Sequence, residues 1–317
     1  MPRAAAPIPA HRLKAPDTRV YVGDSREHRA TVPECKAREI DLIKAAPPFN
    51  WQRDYDRHQD RPHDDTIWND SIPDDEYLKF TYDWLDGCIR ALKPTGTLWV
   101  NIPDDWAAEI CVHLKQRRLH MVNWCIWHYR FGQNRLERFI NTKVHVFYFC
   151  KDPARRTWNV KPILEPTDRA TIYADKRTYN KKEGDSGLRV PMDVWYGKNW
   201  GRIQGNNKER RPGHDNQIPE VYLERVIRAT SNEGDLVLDP FLGSGTTCTV
   251  ARELRRRSIG FEYSKANAAS AFKRIGNGPY RIRYDAPTVH VNPIFGKRNL
   301  AQPAGSAFSD APGTILE

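Results

Sequence analysis

Apolar side chains recur on two different periods along this 317-residue chain. Tyr77, Leu78, Phe80, Trp84, Leu85, Cys88, Ile89 and Leu92 return every three or four positions, the repeat of one helical face, and predict a helix over 75–92. Lys93-Pro94-Thr95-Gly96 then supplies a stop. Further helices are expected over 106–116, 219–229, 246–254 and 265–275. Short apolar runs predict strands over 19–22, 40–43, 97–100, 121–128, 144–150, 236–238 and 258–263. Strands alternating with helices imply an α/β fold with a doubly wound, mostly parallel sheet. Polar residues fill 51–74, a loop long enough to expect a function or disorder. A basic, aperiodic stretch over 154–213 reads as an insertion. The expected division is a flexible leader over 1–17, one domain in two parts over 18–153 and 214–276, the insertion between them, and a C-terminal extension over 277–317.

Composition narrows the class. No run reaches the length of apolar residues that a membrane span needs, and no apolar segment follows the first basic residues as in a signal peptide. The six cysteines are scattered without a Cys-x-x-Cys pair, so reduced structural thiols, no metal site and a cytoplasmic location are expected. Fifty Lys and Arg against forty Asp and Glu give a net charge of +10, which attracts polyanions, nucleic acid being the commonest. Ten tryptophans suit either core packing, the usual role, or stacking on bases.

The most informative run is Leu236-Val237-Leu238-Asp239-Pro240-Phe241-Leu242-Gly243-Ser244-Gly245-Thr246-Thr247. An apolar strand ends in a carboxylate, and a glycine turn that opens a helix lets backbone approach a ligand closely. It lacks both the lysine of a phosphate loop and the third glycine of a dinucleotide fingerprint, which disfavours nucleoside triphosphates and NAD. The next strand ends in Gly260-Phe261-Glu262, where a carboxylate could hold a ribose diol or be a surface charge. Upstream, two prolines turn the chain out of the sheet at Ala46-Pro47-Pro48-Phe49-Asn50, directly after the strand bearing Asp41-Leu42-Ile43.

Together these segments resemble the beta group of DNA amino-methyltransferases, over roughly residues 18–275. The Asp239 to Thr247 run is similar to that family's S-adenosylmethionine motif, which implies that Asp239, Pro240, Phe241, Gly243, Ser244, Gly245, Thr246 and Thr247 meet the cofactor. His214-Asp215-Asn216-Gln217-Ile218-Pro219 resembles the His-Pro-x-Gln-Lys-Pro segment that precedes it, keeping His214, Gln217 and Pro219 while departing at Asp215 and Ile218. By the same resemblance Asp24 lies near the cofactor adenine and Glu262 holds the ribose. The proline corner matches the family's catalytic (Asp/Ser)-Pro-Pro-(Tyr/Phe) motif, and catalytic motif before cofactor motif is the beta-group order.

The chemistry accounts for that motif. An exocyclic amine of adenine or cytosine is a poor nucleophile because its lone pair is delocalised into the ring. An acceptor at position 46 and the Pro47 carbonyl would bind its two hydrogens, and Phe49 would stack on a base flipped out of the duplex. Ala46 has no acceptor. Three explanations stay open: an inactivated variant of an Asp-Pro-Pro-Phe enzyme, favoured because the rest of the site is kept; a non-catalytic DNA-binding protein; or substitution by a nearby group such as Asp54 or Asp56. An Asp ancestor implies adenine N6 as the target, with cytosine N4 as the alternative. The resemblance places target recognition in 154–213, where Arg177, Arg189, Arg202 and Lys208 are candidate contacts to double-stranded DNA. Trp51, Arg53 and Tyr55 could line the base pocket or fill the vacated gap. It also implies a possible homodimer.

Overall fold

A computed structural model describes residues 7–29, 31–51, 69–129, 132, 136–167, 188–197, 199–205, 207–211, 214 and 216–281. In chain order the elements are β1 (His11–Lys14), β2 (Asp17–Val22), α1 (Ser25–Arg29), α2 (Pro33–Lys36), β3 (Ile40–Ala45), α3 (Asp74–Ala91), β4 (Leu92–Ile102), α4 (Ala107–Gln116), β5 (His120–His128) and β6 (Lys143–Cys150). Then follow β7 (Glu165–Pro166), β8 (Leu188–Arg189), β9 (Val194–Trp195), α5 (Glu220–Thr230), β10 (Leu236–Asp239), α6 (Thr246–Glu253), β11 (Arg257–Glu262) and α7 (Lys265–Asn277).

Among the described residues nine strands form one sheet in the order β1-β2-β11-β10-β3-β4-β6-β5-β9. β2, β11, β10, β3 and β4 are mutually parallel, β6 runs antiparallel to β4, and β5 is antiparallel to β6 and so parallel to the central strands. The expected mostly parallel α/β sheet is therefore what forms. Side chains alternate across it. Ile43, Ala45, Leu236 and Leu238 pack with Tyr77, Trp84, Leu85 and Cys88 of α3 and Ile110 and Leu114 of α4. Leu42, Trp99 and Val237 pack on the opposite face with Tyr222, Leu223 and Val226 of α5 and Val250 and Ala251 of α6. Helices on both faces make the sheet doubly wound.

Three segments depart from expectation. The flexible leader is corrected over 11–14: β1 pairs antiparallel with β2, His11 stacks on Phe272 with ring centroids 4.7 Å apart, and Leu13 packs against the α7 core. Four residues with a single period-two alternation were too short a signal to read. Part of the basic insertion also joins the domain, since β9 adds to the sheet beside β5 and Trp195 and Trp200 are buried against Tyr222. The extension begins tied down, with the amides of Tyr280 and Arg281 donating to the Glu220 carboxylate. No helix among the described residues is long and apolar enough to cross a membrane. All six cysteines are buried.

Candidate active site

β3 and β10 lie side by side and parallel, Leu42 opposite Val237 and Ile43 opposite Leu238. The chain leaves both at the same edge of the sheet, β3 into the proline corner and β10 into the glycine turn. From there it crosses to α3 on one face and to α6 on the other. Diverging crossovers leave a crevice at the carboxyl ends of the two strands, the place where open α/β sheets bind ligands. Pro47 and Gly243 thus flank one crevice although they are far apart in sequence.

The corner is held by groups that its own sequence does not name. Tyr77 Oη donates to the Pro48 carbonyl at 2.7 Å, and Trp106 Nε1 donates to the Phe49 carbonyl at 3.1 Å. Asn50 sits in the left-handed region at φ 57°, which asparagine tolerates better than most residues. Buried Asp70 fixes it there, accepting from the amides of Asn50 at 2.9 Å and Trp51 at 3.0 Å. The Asn50 side chain exchanges hydrogen bonds with the backbone of Ile72. Trp51 stands edge-on to Phe49 and donates through its indole nitrogen to Asp105 at 2.7 Å. Among the described residues nothing donates to the Pro47 carbonyl. Ala46 is partly exposed, and its methyl group can neither donate nor accept a hydrogen bond.

Two positions before Ala46, Lys44 is 1% exposed. Its ammonium donates to the Ala45 carbonyl at 3.2 Å and lies 5.3 Å from the centre of the Tyr222 ring. Burial pushes it down to about 7, against the pull of the Asp239 carboxylate. Burial raises Asp239 in turn, although Thr247 and the Phe241 amide both donate to it. Sequence gave no signal for Lys44, because a lysine in an apolar strand reads as a strand-end charge.

In the glycine turn, Gly243 and Gly245 adopt φ 49° and 77°. A Cβ on Gly245 would lie 3.0 Å from Ala271 Cβ and 3.1 Å from the Ala271 carbonyl oxygen, so this position needs glycine for space as well as for φ. Pro240 is buried at the start of the turn, and Phe241 stands edge-on to Trp84 of α3. The Gly243 amide donates to Glu262 at 2.8 Å, and Ser264 and Asn267 donate to the other carboxylate oxygen. Burial pushes Glu262 up to about 7 despite these donors, with the nearby Asp239 charge adding to the rise. Gly23 donates to the Glu262 carbonyl at 2.8 Å, which brings Asp24 alongside; its carboxylate is taken by Arg26, which lies over the Phe80 ring.

The hydroxyls of Ser244 and Thr246 lie 2.9 Å apart and both accept from Arg274 of α7. Arg274 pairs with Glu220 of α5 at 3.0 Å, both side chains fully buried. These hydroxyls are therefore engaged towards α7. Gln217 is buried and bridges backbone, donating to the Glu209 carbonyl at 2.7 Å and accepting from the Arg211 amide at 3.0 Å, so its observed bonds fix the segment that leads into α5. His214 precedes it, its amide within 3.4 Å of the Arg211 carbonyl.

Of the candidate DNA contacts, Lys208 is exposed, Arg189 lies 3.7 Å from Glu165, and Arg202 donates to Asn216 at 2.8 Å while covering the Tyr129 ring. Arg53, Asp54, Tyr55, Asp56 and Arg177 lie outside the described residues. Among the described residues no cluster of His, Cys, Asp or Glu is arranged to hold a metal.

Comparison with known proteins gives a consistent picture. The family described as DNA methylase (N6_N4_Mtase) matches residues 40–273. The Type II methyltransferase M.HpaI of Haemophilus parainfluenzae is 32% identical over 237 residues, 74% of this chain and 68% of that protein. Two solved structures share the fold. The PvuII DNA methyltransferase (cytosine-N4-specific) has a TM-score of 0.60 at 18% identity, over 85% of this chain and 95% of that one. The M1.HpyAVI–SAM complex has a TM-score of 0.54 at 19% identity, over 81% and 98%. With nearly three quarters of its length matched and the fold shared, this chain belongs to the DNA methylase family.

Proposed function

We propose that the chain is built to transfer a methyl group from S-adenosylmethionine to adenine N6 in double-stranded DNA, and that Ala46 leaves it catalytically impaired. The observation that carries this reading is the placement of the proline corner and the glycine turn on adjacent parallel strands at one edge of the sheet. The family is S-adenosylmethionine-dependent, and the residues present fit that cofactor. Gly243 and Gly245 clear the backbone for a close approach. Glu262, lying beside that turn and bonded mainly to backbone amides, offers a carboxylate to a ribose diol. Asp24 would lie towards the adenine, with Asp239, Phe241 and Thr247 along the rest of the ligand. When bound, the cofactor supplies an electrophilic sulfonium methyl.

The chain's own residues then orient the nucleophile. The Pro47 carbonyl accepts one hydrogen of the target amine, and Phe49, braced by Trp51 and Trp106, stacks on the flipped base. An acceptor at position 46 would take the second hydrogen, drawing the lone pair out of conjugation and later removing the proton. Adenine is preferred over cytosine because Asp-Pro-Pro-Phe-Asn accompanies adenine chemistry in the resemblance. The test is mass spectrometry of nucleosides from DNA of cells expressing Ala46→Asp or Ala46→Ser. N6-methyladenine from the Asp form supports the proposal, and N4-methylcytosine reverses the base assignment. No methylated base from either form means that the protein binds without turnover.

Glu262 gives the site a pH dependence. In the free protein its carboxyl stays protonated up to about 7 instead of the usual 4.5, so its contribution to stability is lost as pH rises through that window. Ribose hydroxyls donating to it favour the ionised form. Cofactor binding below pH 7 should therefore release a proton, and affinity should climb up to about tenfold per pH unit before levelling above pH 7. Titration calorimetry at pH 6 in two buffers of different ionisation enthalpy reads the proton directly. Glu262→Gln should remove this part of the proton release, and identical proton counts in both proteins would contradict the assignment.

A further inference from the structure

β5 is parallel to β3 and β10, so the chain leaves β5 and enters β6 at the same edge of the sheet as the proline corner and the glycine turn. The neck between the two strands is closed. The Tyr129 amide donates to the Thr142 carbonyl at 3.0 Å, and the Tyr129 hydroxyl donates to the Asn141 carbonyl at 3.3 Å. A Cβ on Gly132 would clash with Ile140 Cγ2, so the two limbs touch there. Beyond this neck the tip carries Leu136 at 99% exposure and Phe139 at 98%, with Ile140 half in solvent and Arg138 exposed between them.

The base of the loop is wired to the catalytic corner. Lys143 and His145 of β6 both bond Asp104, Asp105 accepts from Trp51, and Trp106 donates to Phe49. Isolated exposed apolar residues are ordinary, but two large ones wholly in solvent beyond a closed neck, at the edge of the sheet that carries the site, call for a partner. In the sequence, 130–142 carries Arg130, Arg135 and Arg138 against Glu137 alone, a balance that suits a polyanion.

We propose that the tip enters the DNA duplex as a wedge, Leu136 and Phe139 inserting at the step from which the target base is displaced while Arg138 contacts a phosphate. This rests on the reading of the chain as an enzyme that flips a base out of double-stranded DNA. Apolar side chains inserted between base steps offset the unstacking that base extrusion requires.

Fluorescence anisotropy on a labelled random-sequence duplex, fully paired or with one central mismatch, tests it without requiring methyl transfer. The parent protein should favour the mismatched duplex, where unpairing is already partly accomplished. Leu136→Ala/Phe139→Ala should weaken binding to it about tenfold or more and lose most of that preference, with an unchanged salt slope. Arg138→Ala should keep the preference and lower the salt slope by about one. Unchanged thermal unfolding of each variant shows that the fold is intact, as such exposure predicts. Equal binding by parent and double variant, or a dimer in sedimentation that only the double variant dissolves, overturns the wedge. Neither result touches the methylation reading, which the nucleoside analysis decides separately.

Discussion

Replacing Ala46 by Asp should raise the rate of methyl transfer by about 10² to 10⁴, the usual contribution of a positioned proton acceptor. The remainder of the corner is in place to receive it. Asn50 is pinned by Asp70 and Ile72, the carbonyls of Pro48 and Phe49 are committed to Tyr77 and Trp106, and the Pro47 carbonyl faces no donor among the described residues. Because Ala46 keeps some solvent contact, a carboxylate there need not be fully desolvated. Ala46→Asn separates acceptance from basicity, since its amide oxygen accepts one hydrogen but cannot take the proton. It should recover only part of the gain. Single-turnover assays with methyl-labelled cofactor measure both. A gain under about tenfold for Asp, with cofactor and DNA binding unchanged, would mean that position 46 does not touch the reacting amine.

Breaking the Arg274–Glu220 pair should produce the largest loss of stability. Removing one partner of a fully buried ion pair leaves an uncompensated charge and typically costs about 3–5 kcal/mol. Here the damage spreads further. Arg274 is also the donor to Ser244 and Thr246, and Glu220 is the acceptor for the amides of Tyr280 and Arg281. Arg274→Ala should therefore lower the unfolding free energy by that amount in denaturant titration and loosen the glycine turn, weakening cofactor binding in the protein that remains folded. A combined Arg274→Met/Glu220→Leu change, which removes both charges and fills the space, should recover most of the stability but not the tight cofactor binding. A loss under about 1 kcal/mol for Arg274→Ala would show that the pair is not closed to water.

Much of this arrangement was legible in the residues, and its gaps have physical causes. α3 announced itself because eighteen residues carry one apolar face, and the glycine turn because an apolar strand, a carboxylate and two glycines have few structural alternatives. Both signals are local. The supports of the site are not. Asp70 serves Asn50 from twenty residues away in a polar stretch of sequence in which it is one acidic residue among many. Glu220 and Arg274 sit on helices where charges ordinarily face water, so their union in the core appears only once α5 and α7 are brought together. Ser244 and Thr246 were expected to meet the cofactor, yet their hydroxyls are engaged by Arg274. Leu136 and Phe139 lie between the strands expected over 121–128 and 144–150, among mostly polar residues that carry no period. Their meaning depends on β5 pointing the same way as β3, a fact of sheet order.

A crystal structure of the protein with a non-reactive S-adenosylmethionine analogue tests the central claim most directly. The account predicts that the analogue lies across the carboxyl ends of β10 and β3, its ribose hydroxyls on Glu262 and its methyl-bearing end turned towards Ala46 and the Pro47 carbonyl. An analogue bound away from the glycine turn, or seated there with that end directed away from the proline corner, would contradict it.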